Sequence, residues 1–260
     1  MSLKRVLTIA GSDSGGGAGI EADLKTISAL GAYGCTAITA VTAQNTLGVA
    51  SVHTLPAEFV ARAIFMVLDD IGVDAVKLGM LANEAIIRAV AATLPGNVPV
   101  VLDPVMVATS GAVLLEEGAI AAMRSELVPR ATLVTPNLPE AAKLTGLPVD
   151  TEEERIAAGR ALIAMGAKAA LIKGGHGAEE VLTDYLITPD AVDAISLPRL
   201  HSTSTHGTGC TMASAIATGL AQGMTLLDAV RRARAYLQEA IRTAPGFGKG
   251  HGPVNHLVRV

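Results

Sequence analysis

The chemistry this sequence offers is concentrated in one run, Ser204-Thr205-His206-Gly207-Thr208-Gly209-Cys210. It leads directly into Thr211-Met212-Ala213-Ser214-Ala215-Ile216. There Ala213, Ile216, Ala217 and Leu220 recur at i, i+3, i+4 and i+7, the spacing of a helix with one apolar stripe. Gly223 stands where such a helix stops. A helix start leaves backbone N–H groups unpaired and carries partial positive charge, so it can hold an anion, phosphate above all. Glycines let that backbone approach the anion closely. A cysteine at this place is expected to have a lowered pKa and to be partly thiolate. The run therefore predicts an anion cradle beside a candidate base or nucleophile, Cys210. The plainer reading is a glycine-rich loop with a small core cysteine.

Other polar groups fall at the carboxyl ends of predicted strands, where open α/β sheets bind ligands. Gly11 follows Val6–Ala10 and begins a stretch with five glycines between residues 11 and 19. Gln44 ends the strand Cys35–Ala43. Asp103 ends Val98–Leu102 and suits a metal, or simply starts a turn before Pro104. Asn137 and Glu140 follow Thr132–Thr135; they form a capping box at a helix start, or Glu140 serves magnesium through water. Lys173 ends Lys168–Ile172 and could reach a phosphate. Asp23 lies just inside the first helix, as a first-turn acid or a ligand-binding carboxylate. An anion-binding helix start, a lysine and two acids suited to a metal suggest phosphoryl transfer, which needs positioning and charge neutralisation more than covalent chemistry.

Familiar glycine motifs fail. Gly11 and Gly16 have P-loop spacing, but Gly17 stands where the lysine belongs. Gly15 and Gly17 begin a dinucleotide fingerprint, but Ile20 stands at its last position. With a net charge of −4, no Trp, three Tyr and three Phe, the chain lacks the cationic stripe and stacking aromatics of a nucleic-acid binder. Mean hydropathy is +0.45, yet charges, glycines and prolines interrupt each apolar run before it could span a bilayer. No signal-peptide pattern opens the sequence, and Cys35 and Cys210 belong to no CxxC pair, so reduced thiols and a cytoplasmic location are expected.

Helical patterns alternate with the strands throughout: 20–30, 56–71, 83–90, 116–127, 151–165, the helix after Cys210, and 225–243. Val181–Ile187 and Ala191–Leu197 read as a β-excursion at a sheet edge. The expectation is α/β: a single domain over residues 1–260, with a mainly parallel central sheet, helices on both faces and the polar groups along one rim.

Several runs together resemble the hydroxymethylpyrimidine/phosphomethylpyrimidine kinases of the ribokinase-like superfamily, almost end to end. They are residues 7–20 (LTIAGSDSGGGAGI), 22–26 (ADLKT), 43–46 (AQNT), 77–81 (KLGML), 101–106 (VLDPVM), 135–141 (TPNLPEA), 173–176 (KGGH) and 205–211 (THGTGCT). The resemblance implies transfer of the ATP γ-phosphoryl group to 4-amino-5-hydroxymethyl-2-methylpyrimidine and then to its monophosphate, for thiamine diphosphate biosynthesis. It implies that Asp23 and Gln44 bind the pyrimidine edge, that Gly11, Met80 and Val107 line its pocket, and that Gly207, Thr208 and Gly209 form the anion hole. Cys210 would activate the hydroxymethyl oxygen and Lys173 would meet nucleotide phosphate. Asp103 and Glu140 would organise Mg²⁺ near Asn137, in a homodimer. Glu21 and Gly15 depart from the usual glutamine and serine. The alternatives are a pyridoxal or pyridoxine kinase, whose substrate also bears a hydroxymethyl group, and a non-catalytic nucleotide or pyrimidine sensor.

Overall fold

A computed structural model describes residues 3–108, 111–112, 114–176 and 180–258. The chain begins β1 (Arg5–Asp13), α1 (Gly19–Ala29), β2 (Tyr33–Asn45), β3 (Gly48–Thr54) and α2 (Ala57–Met66). It continues β4 (Ala75–Leu78), α3 (Glu84–Thr93), β5 (Val100–Leu102), α4 (Glu117–Ala122), β6 (Leu133–Val134), α5 (Leu138–Thr145) and α6 (Glu152–Ala164). It ends β7 (Ala170–Ile172), β8 (Val181–Ile187), β9 (Val192–Pro198), α7 (Thr208–Ala221) and α8 (Leu226–Arg242). The helices expected over 56–71 and 116–127 are present, each closing in a wider π turn, Val67–Ile71 and Met123–Leu127.

All nine strands form one sheet in the order β3-β2-β1-β4-β5-β6-β7-β8-β9. The pairs from β2 through β7 are parallel, while β3, β8 and β9 join antiparallel at the two edges. β1 and β2 run further than the apolar pattern predicts, because Ser12 and Asp13 still pair with Val41 and Thr42 beyond a bulge.

Period-two alternation sends each strand's side chains to two cores. Leu7, Ile9, Val76, Leu78, Val100 and Leu102 face the core under α2, α3, α5 and α6. Val6, Ala75, Val101, Leu133 and Leu171 face the core under α7 and α8. Two residues further along each strand on that second face come Thr8, Lys77, Asp103, Thr135 and Lys173. One register thus turns five polar side chains toward the start of α7.

Local signals fix the helix starts. Asn83 and Thr225 cap α3 and α8 through their side chains. Asn137–Glu140 and Thr151–Glu154 form complete capping boxes on α5 and α6.

Candidate active site

α7, like α1, α2 and α4, begins without a side-chain cap. Its N-cap is Gly207, at φ +79°, with no side chain to cap the helix start. A Cβ at Gly207 would collide with the Gly17 carbonyl oxygen, so the turn needs glycine for both its conformation and its contact with the first loop. A Cβ at Gly209 would stand 3.3 Å from Asp103 Oδ2 and 3.4 Å from Lys173 Nζ. The bare backbone of the cradle therefore meets the acid and the lysine at one point.

Lys173 Nζ donates to Asp103 Oδ1 at 2.9 Å, and Thr135 Oγ1 donates to the same oxygen at 3.2 Å. Glu140 is buried beside them. Burial pushes its carboxyl up to about 7; Asp103 adds to that, while Lys173 and the Asn137 N–H oppose it. Burial alone would lower the Lys173 ammonium, but Asp103 and Glu140 raise it above the ordinary lysine value. This corner holds more negative charge than one lysine neutralises, a condition that a divalent cation relieves. Among the described residues no group of three His, Cys, Asp or Glu forms a cage of its own. Two carboxylates shared with water and phosphate are, however, a common magnesium arrangement.

A cavity of about 600 Å³ runs across this rim. Gly11, Gln44, Met80, Val107, Asp103, Asn137, Glu140, Lys173, Gly207, Thr208, Gly209 and Cys210 all line it, so the structure brings together every expected site residue except Asp23.

Asp23 requires a correction, because it is fully buried beneath the cavity. Its Oδ1 accepts from Lys77 Nζ at 2.9 Å and Ser214 Oγ at 2.7 Å; its Oδ2 accepts from Lys77 Nζ at 2.8 Å and Thr8 Oγ1 at 2.5 Å. Four hydrogen bonds occupy the carboxylate, leaving none for a ligand. Burial lowers the Lys77 ammonium pKa, but Asp23 and the acidic groups around it, Asp103 among them, together outweigh that and raise it.

The cysteine needs a second correction. Burial pushes the Cys210 thiol up to about 11. Lys77 and a backbone hydrogen bond with Gly19 pull it down less than burial, Asp23 and Asp103 push it up. These surroundings favour the Cys210 thiol over the part-thiolate expected from a helix start.

Asp13 and His206, absent from the expected set, are among the other residues that line the cavity. Asp13 accepts from Gly15 N at 2.8 Å, Gly17 N at 3.0 Å and Ala18 N at 2.9 Å, which shapes the glycine loop. Its Oδ2 also lies 2.8 Å from His206 Nε2, and the Gln44 side-chain amide lies 3.0 Å from that nitrogen. Burial raises the Asp13 carboxyl, but His206 and the loop N–H groups bring it below its ordinary value. An acid among closely spaced glycines was the readable signal for this loop-shaping role.

A C-terminal segment closes the arrangement from outside. His251 N donates to Thr46 O at 2.9 Å and His206 N to Gly252 O at 3.1 Å. His256 Nε2 lies 3.0 Å from Thr211 Oγ1, and Tyr236 Oη donates to the His256 carbonyl at 2.7 Å. The end of β2, the glycine loop and the α7 turn are thereby tied together.

Solved structures define the class. The chain superposes on pyridoxal kinase from Staphylococcus aureus in complex with ADP at a TM-score of 0.92 and 36% identity, covering 99% of this chain and 94% of that one. The fold is that of the ribokinase-like kinases. Sequence narrows the class: a family model described as phosphomethylpyrimidine kinase matches residues 13–255, and the chain belongs to that family. It is 48% identical to the hydroxymethylpyrimidine/phosphomethylpyrimidine kinase of Salmonella typhimurium over 99% of this chain and 98% of the relative. It is 51% identical to the thiamine biosynthesis bifunctional protein ThiED of Geobacter sulfurreducens over 97% of this chain, spanning 52% of that longer relative.

Proposed function

We propose that the chain transfers the γ-phosphoryl group of ATP to the hydroxymethyl group of 4-amino-5-hydroxymethyl-2-methylpyrimidine, and then to the resulting monophosphate, in thiamine diphosphate biosynthesis. The observation that carries this reading is the convergence of the uncapped α7 start, Asp103 and Lys173 on Gly209, in a chain 48% identical to a relative of that name.

Each part has a task. The α7 start and Lys173 hold the transferring phosphoryl oxygens and neutralise their charge. Asp103 and Glu140, with Asn137 beside them, are the residues that would hold Mg²⁺. The metal would supply charge neutralisation on the phosphate oxygens. Gln44 binds the pyrimidine edge, while Gly11, Met80 and Val107 enclose the ring. Leu182, Leu200, Leu237 and Ile241 give the opposite end of the cavity an apolar wall suited to the nucleotide base. The acceptor oxygen bonds to the γ-phosphorus as the bond to the ADP oxygen breaks, and the hydroxyl proton passes to Cys210 in its thiolate form, the thiol having first released its own proton to solvent. In a loose transition state the hydroxyl proton leaves late, so a small thiolate fraction suffices. The protein works as a cytoplasmic homodimer. Val41, Leu47 and Val52 on the β2–β3 edge, with Phe59 and Met66 on α2, are exposed large apolar residues on its surface.

A coupled assay with the pyrimidine alcohol, its monophosphate, pyridoxal and pyridoxine tests the reading. Both pyrimidines are expected to turn over with a higher kcat/KM than either vitamin. Preference for pyridoxal would reassign the substrate, and no product from any of the four would leave a sensor. Cys210→Ala is expected to lose most turnover while still binding nucleotide; near-normal turnover would remove the base assignment.

A further inference from the structure

Lys173 is followed by a turn that is held from the far side of the cavity. Gly174 N donates to Asp184 Oδ1 at 2.8 Å. The bare Gly174 packs on the Thr183 carbonyl, where any side chain would collide. Asp184 on β8 and Arg234 on α8 both line the cavity, yet they are only 2% and 5% exposed. Arg234 Nε stands 3.2 Å from Asp184 Oδ2. The approach is close but misaligned: among the described residues Asp184 Oδ2 and Arg234 Nε and Nη2 have no hydrogen-bond partner. Charge, more than directional bonding, holds this pair together. Burial pushes the Asp184 carboxyl up, and Arg234, the Gly174 N–H and Lys173 pull it down, in that order. Asp184 thus feels two cations, and one of them is the lysine that pairs with Asp103.

We propose that Arg234 is a positioning residue for phosphoryl transfer. By neutralising Asp184 it keeps that carboxylate on the Gly174 N–H and leaves Lys173 to Asp103 and the nucleotide phosphate. The inference rests on the phosphate role given to Lys173 above. Without Arg234, the buried carboxylate becomes a competitor for Lys173, since an uncompensated buried charge finds whatever counter-ion is near.

The test is a small variant set assayed for kcat and for both KM values. Arg234→Met is expected to lower kcat about 10–100-fold, the scale of a misplaced catalytic group, and to raise the nucleotide KM while leaving the alcohol KM in place. Arg234→Lys keeps the charge and should retain most activity. The decisive variant is Arg234→Met/Asp184→Asn. It removes the competing carboxylate but keeps an Oδ1 acceptor for Gly174 N, so it should recover kcat even though it has lost another ion-pair member. A merely structural role would also recover stability in the double variant, but it predicts no rise confined to the nucleotide KM in Arg234→Met. A double variant as slow as Arg234→Met, or equal increases in both KM values, would overturn the proposal. If Arg234→Met does not fold, Asp184→Asn is expected to outperform Asp184→Ala, which lacks the acceptor; equal rates would overturn it. If the wild-type chain phosphorylates no alcohol, the kinase reading fails, and AMP-PCP affinity by calorimetry then decides this inference separately. The same ranking of variants supports it and a flat series overturns it. No AMP-PCP binding by the wild type would overturn both.

Discussion

Removing the Asp23 carboxylate would leave the Lys77 ammonium buried with its two hydrogen bonds gone. Asp23→Ala is therefore expected to destabilise the fold by about 3–5 kcal/mol, read as a shift of the urea midpoint. Asp23→Asn/Lys77→Met should recover most of that loss. A midpoint unchanged in Asp23→Ala would mean that the pair does not hold the fold. Cys210 gives a second test at this scale. With its thiol pushed up to about 11, alkylation by iodoacetamide, followed by mass spectrometry, should be slow at pH 7 and still rising at alkaline pH. A plateau reached near neutrality would restore the thiolate. The Asp23 correction has a readable origin. Asp23 falls three residues after Ile20 and four before Ile27, inside the apolar stripe of α1, and Lys77 interrupts an apolar strand. Two opposite charges on buried faces point to each other. Arg234, between Val230 and Leu237 on α8, carries the same signal. The Cys210 result was not legible, because burial and the carboxylates around the thiol come from segments distant in sequence.

Among the elements, α7 and the segment after α8 set the site. The strand–helix alternation, the Asn137–Glu140 capping box and the edge excursion are local patterns, and they were legible for that reason. The sheet order and the C-terminal ties were not, since they pair residues far apart. His256 gives that segment a pH response. Burial, with help from Lys25, lowers its imidazole to about 4 from an ordinary 6.5. The unfolded chain therefore binds more protons between those values, and stability falls as pH drops from about 6.5 to about 4, by up to about 3 kcal/mol. Urea midpoints measured across that range should fall more steeply in the wild type than in His256→Asn. Parallel curves would show that His256 is not held neutral.

For the whole molecule, the exposed apolar residues of β2, β3 and α2 predict self-association. Light scattering should give twice the chain mass, and Leu47→Asp/Val52→Lys should give the monomer; a wild-type monomer at micromolar concentration would remove the homodimer. The segment that ties Thr46, His206 and Thr211 together has a consequence for synthesis as well. It is translated after every strand and after α8, and chains emerge from the ribosome vectorially, folding as they go. The sheet and the core under α2, α3, α5 and α6 can assemble while the binding rim is still open on one side, whereas Val254 and Val258 complete the second core only when the last segment is made. Competence to hold a ligand thus arrives together with the second core, after most of the sheet.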